Sequence, residues 1–350
     1  MSRRGRRWAG ALLLLLAGVA GAGGALLLAR SPYKGYAGAS TVVELPPGTS
    51  TRAILATLEE AGVVRSRLLA YAALRVLFRG RSLKAGEYRF DGPASTEEVL
   101  RTVVEGKVAT YRVTFPEGLT AEESFEILGR ERLGRADELR ALFAQPGLFE
   151  GLPAGAPSLE GFLGPDTHIF TRSQGSREIL ETLVKAYRAS LPARFAERAA
   201  ALGRTPLEAV TLASLVEKET GVAAERALVS AVYHNRLRFG MPLQCDPTVV
   251  YALKRRGEWK GTLTREGLAV DDPWNTYARA GLPPGPIASP GAASLEAAVA
   301  PADVPYLYFV AAGDGSGEHR FAVSYEEHLA NVALYRRARA ARDPGSPSPR

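Results

Sequence analysis

The stretch Thr205-Pro206-Leu207-Glu208-Ala209-Val210-Thr211-Leu212-Ala213-Ser214-Leu215-Val216-Glu217-Lys218-Glu219-Thr220-Gly221 reads as one helix with both ends marked. Thr205 is an N-cap whose capping box is completed by Glu208, Pro206 takes the first helical position, and Gly221 ends the helix. Apolar side chains cover most of its circumference, the pattern of a helix buried at the centre of a domain. Its last turn nevertheless carries two carboxylates. At roughly 100° per residue, Glu219 falls between Leu212 and Leu215 with Val216 close by, whereas Glu217 lies beside Val210 and Ala213. The two glutamates therefore cannot face one pocket. Apolar neighbours desolvate a carboxylate and raise its pKa, as a general acid working near neutral pH requires, so Glu219 is the candidate acid. The competing reading leaves both glutamates at a frayed, solvated helix end, paired with Lys218 and Arg226.

Outward from this helix, residues 176–238 read as helical almost throughout. Upstream, β-like runs at 41–45, 87–90 and 109–115 alternate with helical runs at 51–61, 67–77 and 96–105, which predicts a small α+β module. Ser95 with Glu98 and Thr120 with Glu123 form two more capping boxes, the second opening a helical region to about residue 144. Glycines and prolines between 146 and 157 predict a loop. Downstream, 241–305 holds nine prolines, which predicts a long proline-rich loop of the kind that usually carries function. Segments 306–311 and 319–323 flank Gly313-Asp314-Gly315-Ser316-Gly317 as a hairpin, and Ser324 with Glu327 caps a last helix.

With 350 residues, 46% of them hydrophobic, the chain can support about two domains with real cores. A single cysteine, Cys245, excludes an intramolecular disulfide, and no Cys/His spacing suits structural zinc, so no cofactor or metal is expected. The net charge of +7 sits at the ends. Arg3, Arg4, Arg6 and Arg7 supply four charges and residues 336–350 another four, leaving −1 between them. No nucleic-acid partner is expected, because such a partner needs a basic face on the folded part. The 22 residues 8–29 carry no charge, enough at ~1.5 Å per residue to cross a ~30 Å hydrocarbon core. They predict one transmembrane helix, and the preceding arginines predict a cytoplasmic N-terminus with everything from about Ser31 onward outside. A cleaved signal peptide with Ala20-Gly21-Ala22 as its site is the alternative.

Motifs in order along the chain then carry a resemblance. Leu215-Val216-Glu217-Lys218-Glu219-Thr220-Gly221, Glu225-Arg226, Tyr233-His234-Asn235-Arg236-Leu237, Gly240-Met241-Pro242-Leu243-Gln244-Cys245-Asp246-Pro247-Thr248, Asn275-Thr276-Tyr277 and Gly281-Leu282-Pro283-Pro284-Gly285-Pro286 together resemble the endolytic murein transglycosylase family (MltG, YceG-like). The resemblance covers roughly residues 41–335. It implies an α+β protein with an N-terminal transmembrane helix at 8–29 after a basic cytoplasmic tail at 1–7 and a LysM-like module at 41–115. A mainly helical, lysozyme-like catalytic domain at 116–336 and a basic disordered tail at 337–350 complete it. The implied activity is cleavage of peptidoglycan glycan strands between N-acetylmuramic acid and N-acetylglucosamine, leaving 1,6-anhydro-N-acetylmuramic acid ends. Its implied partners are glycan strands, the cytoplasmic membrane and cell-wall synthesis proteins.

Carried over residue by residue, the family's catalytic glutamate falls on Glu219, in agreement with the helical wheel. Gln244, Asp246, Asn275 and Tyr277, in the proline-rich stretch, are candidates to hold N-acetyl and hydroxyl groups of the substrate, although Asp246 could instead start a turn and Asn275 cap backbone. Two departures stand out. The family pattern has an aromatic before the Pro165-Asp166-Thr167 triplet and a tyrosine after it, where this chain has Gly164 and His168. Aromatic faces stack on sugars, so these exchanges are expected to alter a subsite if the segment lines the groove. Two rival readings remain at this stage. A hydrolytic muramidase would use Asp246, Asp271 or Asp272 to activate water, and a non-catalytic scaffold would bind glycan through the 41–115 module.

Overall fold

The computed structural model describes residues 3–342, with the side chains at 3–7, 9–11, 13, 14 and 22 outside the description. It divides into two compact units, one running to Tyr111 and including Ile169–Gln174, the other comprising Arg112–His168 and the chain from Gly175 onward.

The first unit contains α1 (Arg3–Arg30), β1 (Pro32–Tyr33), β2 (Thr41–Leu45), α2 (Thr51–Glu60), α3 (Arg67–Leu77), β3 (Gly86–Phe90), β4 (Ala94–Ser95) and α4 (Thr96–Glu105). β2 and β3 pair antiparallel, Thr41 opposite Phe90 and Leu45 opposite Gly86, while β1 pairs with β4. Val43 and Leu45 point inward and Val42 and Glu44 outward, the period-two alternation of a strand with one dry face. Leu55 and Leu58 of α2, Tyr88 of β3, and Leu100 and Val103 of α4 fill the core beneath. Ser95 and Glu98 make the expected reciprocal capping box. Ala29, in the last turn of α1, is buried in this same core, and Arg30 pairs with Glu97 at 3.0 Å.

The expected membrane segment, 8–29, falls in α1, and part of it lies outside the described side chains. Among the described residues no helix is long and apolar enough to cross a membrane. The expected basic tail at 1–7 is helical from Arg3, its first two residues lying outside the described residues.

The second unit starts within β5 (Tyr111–Phe115), which pairs with β6 (Asp166–Phe170). Helices α5 (Ala121–Arg130), α6 (Ala136–Phe143), α7 (Ser176–Ser190), α8 (Phe195–Ala201), α9 (Pro206–Glu219), α10 (Arg226–Arg238), α11 (Asp246–Arg255), α12 (Arg265–Leu268) and α13 (Ala292–Val299) follow. The hairpin β7 (Tyr308–Ala311) and β8 (His319–Ala322) and helix α14 (Tyr325–Arg342) complete the unit. α9 is its centre. Every residue from Ala209 to Val216 is buried, and α8, α10, α11 and α13 pack around it. That explains the apolar circumference read from the sequence.

Three expectations are corrected. The helical region after Thr120 is two helices, because Arg132 and Gly134 adopt left-handed backbone (φ 55° and 67°) that turns the chain between α5 and α6. The proline-rich stretch 241–305 is not one loop but holds α11, α12 and α13. Pro247 is in the first turn of α11, where the missing N–H costs nothing, so it starts a helix instead of breaking one. Finally, the tail expected to be disordered from 337 is helical to Arg342, since its alanines and arginines are strong helix formers and the arginines suit the negative end of the helix; 343–350 lie outside the described residues.

Candidate active site

α9 ends where its chemistry begins. Thr205 accepts from the Glu208 N–H and Glu208 reaches back to the Thr205 N–H at 2.7 Å, fixing the start of the helix and hence the rotation of its end. Glu217 and Glu219 emerge on different sides, as the helical wheel requires. Glu217 accepts from the Gly291 N–H at 3.0 Å, at the N-terminus of α13, and is a clamp between helices. Lys218 donates to the Gly118 carbonyl at 3.0 Å and not to either neighbouring glutamate.

Glu219 is the last residue of α9, half-buried, and its Oε1 accepts from the Tyr233 hydroxyl of α10 at 2.8 Å. The buried Cys245 thiol lies within electrostatic reach of both Glu219 and Tyr233. Burial pushes the Glu219 carboxyl above its ordinary range. The Cys245 thiol and the Tyr233 hydroxyl pull it back, the Asp246 charge adds to the rise, and His319 opposes it. Its place at the negative end of α9 works in the same direction as burial. A carboxyl so held keeps its proton at a higher pH than a surface glutamate and can donate it.

The loops around it are bolted to one another. Thr276 accepts from the Cys245 N–H at 3.0 Å and its hydroxyl meets that of Thr248 at 2.9 Å, joining the 275–277 segment to the start of α11. This brings the Tyr277 hydroxyl to Asp246 Oδ1 at 2.5 Å. Ser214 of α9 accepts from the Ile287 N–H at 3.1 Å and anchors the segment before α13. Arg236, buried in α10, donates to the carbonyls of Leu307 (2.7 Å), Pro242 (3.2 Å) and Leu243 (2.9 Å) and lies over the Tyr308 ring.

Of the residues expected to hold substrate, Asp246 and Tyr277 stand together beside Glu219, and Gln244 is exposed with left-handed backbone (φ 51°), its N–H bonded to the Thr276 carbonyl. Asn275 is fully buried. Its amide donates to the carbonyls of Leu268 and Val270 and its Oδ1 accepts from the Tyr277 N–H, so it caps backbone and no part of it is left for a ligand. Among the aspartates weighed as water activators, Asp272 is buried against Arg255 and Asp271 pairs with Arg279 on the surface; of the three, the charge that reaches Glu219 is that of Asp246. Among the described residues no cluster of His, Cys, Asp and Glu could hold a metal ion.

Gly164 has a packing explanation. A Cβ there would lie 2.2 Å from the Tyr187 nitrogen, and the Gly164 N–H donates to the Leu183 carbonyl at 3.0 Å. The position is pressed against the backbone of α7, so an aromatic could not fit and the glycine removes no sugar-stacking face. His168 sits against the Phe115 ring.

The partners Tyr233 and Cys245 were quoted as motif residues without a role. Neither periodicity nor charge marks them, since they reach Glu219 only once α9, α10 and α11 are packed. A second buried carboxyl was also missed. Glu160 accepts from the Ala121 N–H at 3.0 Å and from the Tyr251 hydroxyl at 3.2 Å, and burial raises its pKa to about 7.

A family model described as YceG-like matches residues 43–334. The endolytic murein transglycosylase of Bacillus subtilis (strain 168) is 28% identical over 330 residues, covering 87% of this chain and 88% of that protein. The endolytic murein transglycosylase of Streptococcus pneumoniae (serotype 2, strain D39) is 29% identical over 321 residues, covering 83% of this chain and 57% of that protein, so this chain matches little more than half of the pneumococcal relative. A crystal structure of a YceG-like protein from Listeria monocytogenes superposes with a TM-score of 0.55 at 30% identity, covering 83% of this chain and 98% of that one.

Proposed function

Because the chain belongs to the YceG-like family and is a lytic transglycosylase that cleaves peptidoglycan, we propose that Glu219 is its single acid and base. Protonated Glu219 gives its proton to the glycosidic oxygen as the bond to N-acetylmuramic acid lengthens. The resulting carboxylate takes the proton from that sugar's C6 hydroxyl as the oxygen closes on C1, leaving a 1,6-anhydro end. The observation that carries this reading is a half-open carboxyl at the negative end of a buried helix, its pKa raised by burial and its position fixed by Tyr233 and Cys245. Asp246 and Tyr277 are proposed to meet the sugar's polar groups. Mass spectrometry of glycan strands digested by the protein tests it. Anhydro ends support the reading, whereas reducing ends would make it a hydrolytic muramidase and the absence of new ends a glycan-binding scaffold.

We further propose that α1 anchors the protein in the cytoplasmic membrane, on the strength of the uncharged run 8–29 and the arginines before it, with the catalytic unit outside. The strand–helix–helix–strand order from β2 to β3 supports a LysM-like reading of 41–115 as a glycan-binding module. A reporter fused after Arg350 should be active only outside the cytoplasm, and the native chain should begin near Met1; a mature N-terminus near Gly23 would mean a cleaved signal. Removing 41–108 should weaken binding to intact peptidoglycan.

A further inference from the structure

Beyond Tyr233 and Cys245, a second set of contacts closes around the end of α9. Thr220, the residue after Glu219, is buried, and its hydroxyl donates to Glu225 Oε2 at 3.2 Å while accepting from the Val222 N–H at 3.0 Å. Glu225 is itself buried at the start of α10. Its other contacts come from β8, where the His319 N–H donates to Oε1 and His319 Nδ1 lies against Oε2, both at 2.7 Å. The carboxylate thus ties together three elements, and each bond that reaches it is supplied by a donor on a segment it must hold.

The His319 ring carries the connection back. It meets Phe309 of β7 edge-on with centroids 5.4 Å apart, and Phe309 meets Tyr233 edge-on at 6.1 Å. Tyr233 donates to Glu219. The circuit Glu219, Thr220, Glu225, His319, Phe309, Tyr233 is closed, and its ion pair, Glu225 and His319, takes no proton-transfer step in the chemistry described above. We propose that Glu225 and His319 are a pair of positioning residues that set the orientation of Glu219 through both the chain on its C-terminal side and the tyrosine that holds its carboxyl. This rests on the reading of Glu219 as the acid.

The pair stands apart from a simple structural ion pair because it acts on Glu219 in two ways. It fixes the geometry, and His319 acts electrostatically within a setting that otherwise comprises Tyr233 and Arg236 from α10, Cys245 and Asp246 at the start of α11, and Tyr277 from the loop after α12. His319 favours the carboxylate form, so removing the imidazole should let Glu219 keep its proton to higher pH.

The test is kinetics of the full-length protein on isolated glycan strands, with thermal midpoints measured alongside. His319→Gln removes the donor at the Nδ1 position and Glu225→Gln removes the paired charge. Each should lower kcat on the order of 10-fold or more with KM within about twofold, and the double variant should lose no more than the worse single one, as for residues acting as a unit. His319→Asn, which places an amide N–H near the position of Nδ1, should recover most of kcat, while the alkaline limb of its pH profile still moves upward. Single variants within about twofold of the parent kcat, or losses that multiply in the double variant, would overturn the proposal. So would an asparagine variant no better than glutamine, a comparison that stands even if Glu225→Gln does not fold. Glu219→Gln is run in parallel. If it is inactive while the pair's variants are not, only this inference falls, and if it is active, the acid reading falls first.

Discussion

Two tyrosine-bonded carboxyls of the second unit, Glu160 and Glu219, behave differently. Glu160 accepts from Tyr251 and Glu219 from Tyr233, and burial is the largest influence raising the pKa of each. Glu160 also takes the Ala121 N–H at the N-terminal end of α5, where a helix favours negative charge, and almost none of its surface meets solvent. Glu219 lies at the opposite kind of helix end, which disfavours negative charge, and keeps part of its surface open. The same side-chain pairing therefore serves cohesion at one place and, on the proposed reading of Glu219, proton transfer at the other. What separates them is helix polarity and access, which no residue-type motif encodes.

The sharpest way to break the comparison is to neutralise both acids. Glu219→Gln should reduce anhydro-end formation on the order of 10³-fold with the thermal midpoint nearly unchanged, whereas Glu160→Gln should keep activity within a few-fold; equal losses from the two would erase the distinction. The next effect is on stability against pH. Glu160 has a folded pKa of about 7, above its ordinary value of 4.5, so its contribution is fully present below about 4.5 and lost as pH rises through about 7. Denaturant titrations should show a decline on the order of 3 kcal/mol across that window, flattened in Glu160→Gln. Smaller still, Tyr233→Phe should lower activity about 10-fold and move the alkaline limb upward, since it deletes a hydrogen bond that favours the Glu219 carboxylate. Tyr251→Phe should cost about 1 kcal/mol of stability and leave the pH profile in place. Least of all, Glu217→Gln should change activity by no more than about twofold, because a glutamine oxygen can still accept from the Gly291 N–H.

Local signals in the chain were strong where a cap or a period fixed an element. Thr205, Pro206 and Glu208 set the phase of α9, and that phase alone separated Glu217 from Glu219. Strands β2 and β3 and helices α2, α3 and α4 of the first unit were legible for the same reason, from alternation in β2 and the Ser95 box of α4. Pro247 misled because a proline in the first turn of a helix has the same identity as one that breaks it. Asn275 looked like a ligand-binding amide and proved to be a backbone cap, a distinction made by the carbonyls of Leu268 and Val270 turning toward it. Tyr233, Cys245 and the Glu225–His319 pair depend on approaches between segments distant in sequence, up to 94 residues apart for the last.

Arg236 has a consequence for motion. One guanidinium fastens the chain just after α10 to the chain just before β7 by three backbone carbonyls, so neither segment can lift away without stranding a buried cation. Amides on both sides of this rivet, at Leu243 and Leu307, should exchange with solvent deuterium at matched, slow rates, as parts of one cooperative opening unit. The floor beneath Glu219 would then yield all at once or not at all, and strand binding would be left to the exposed residues above it.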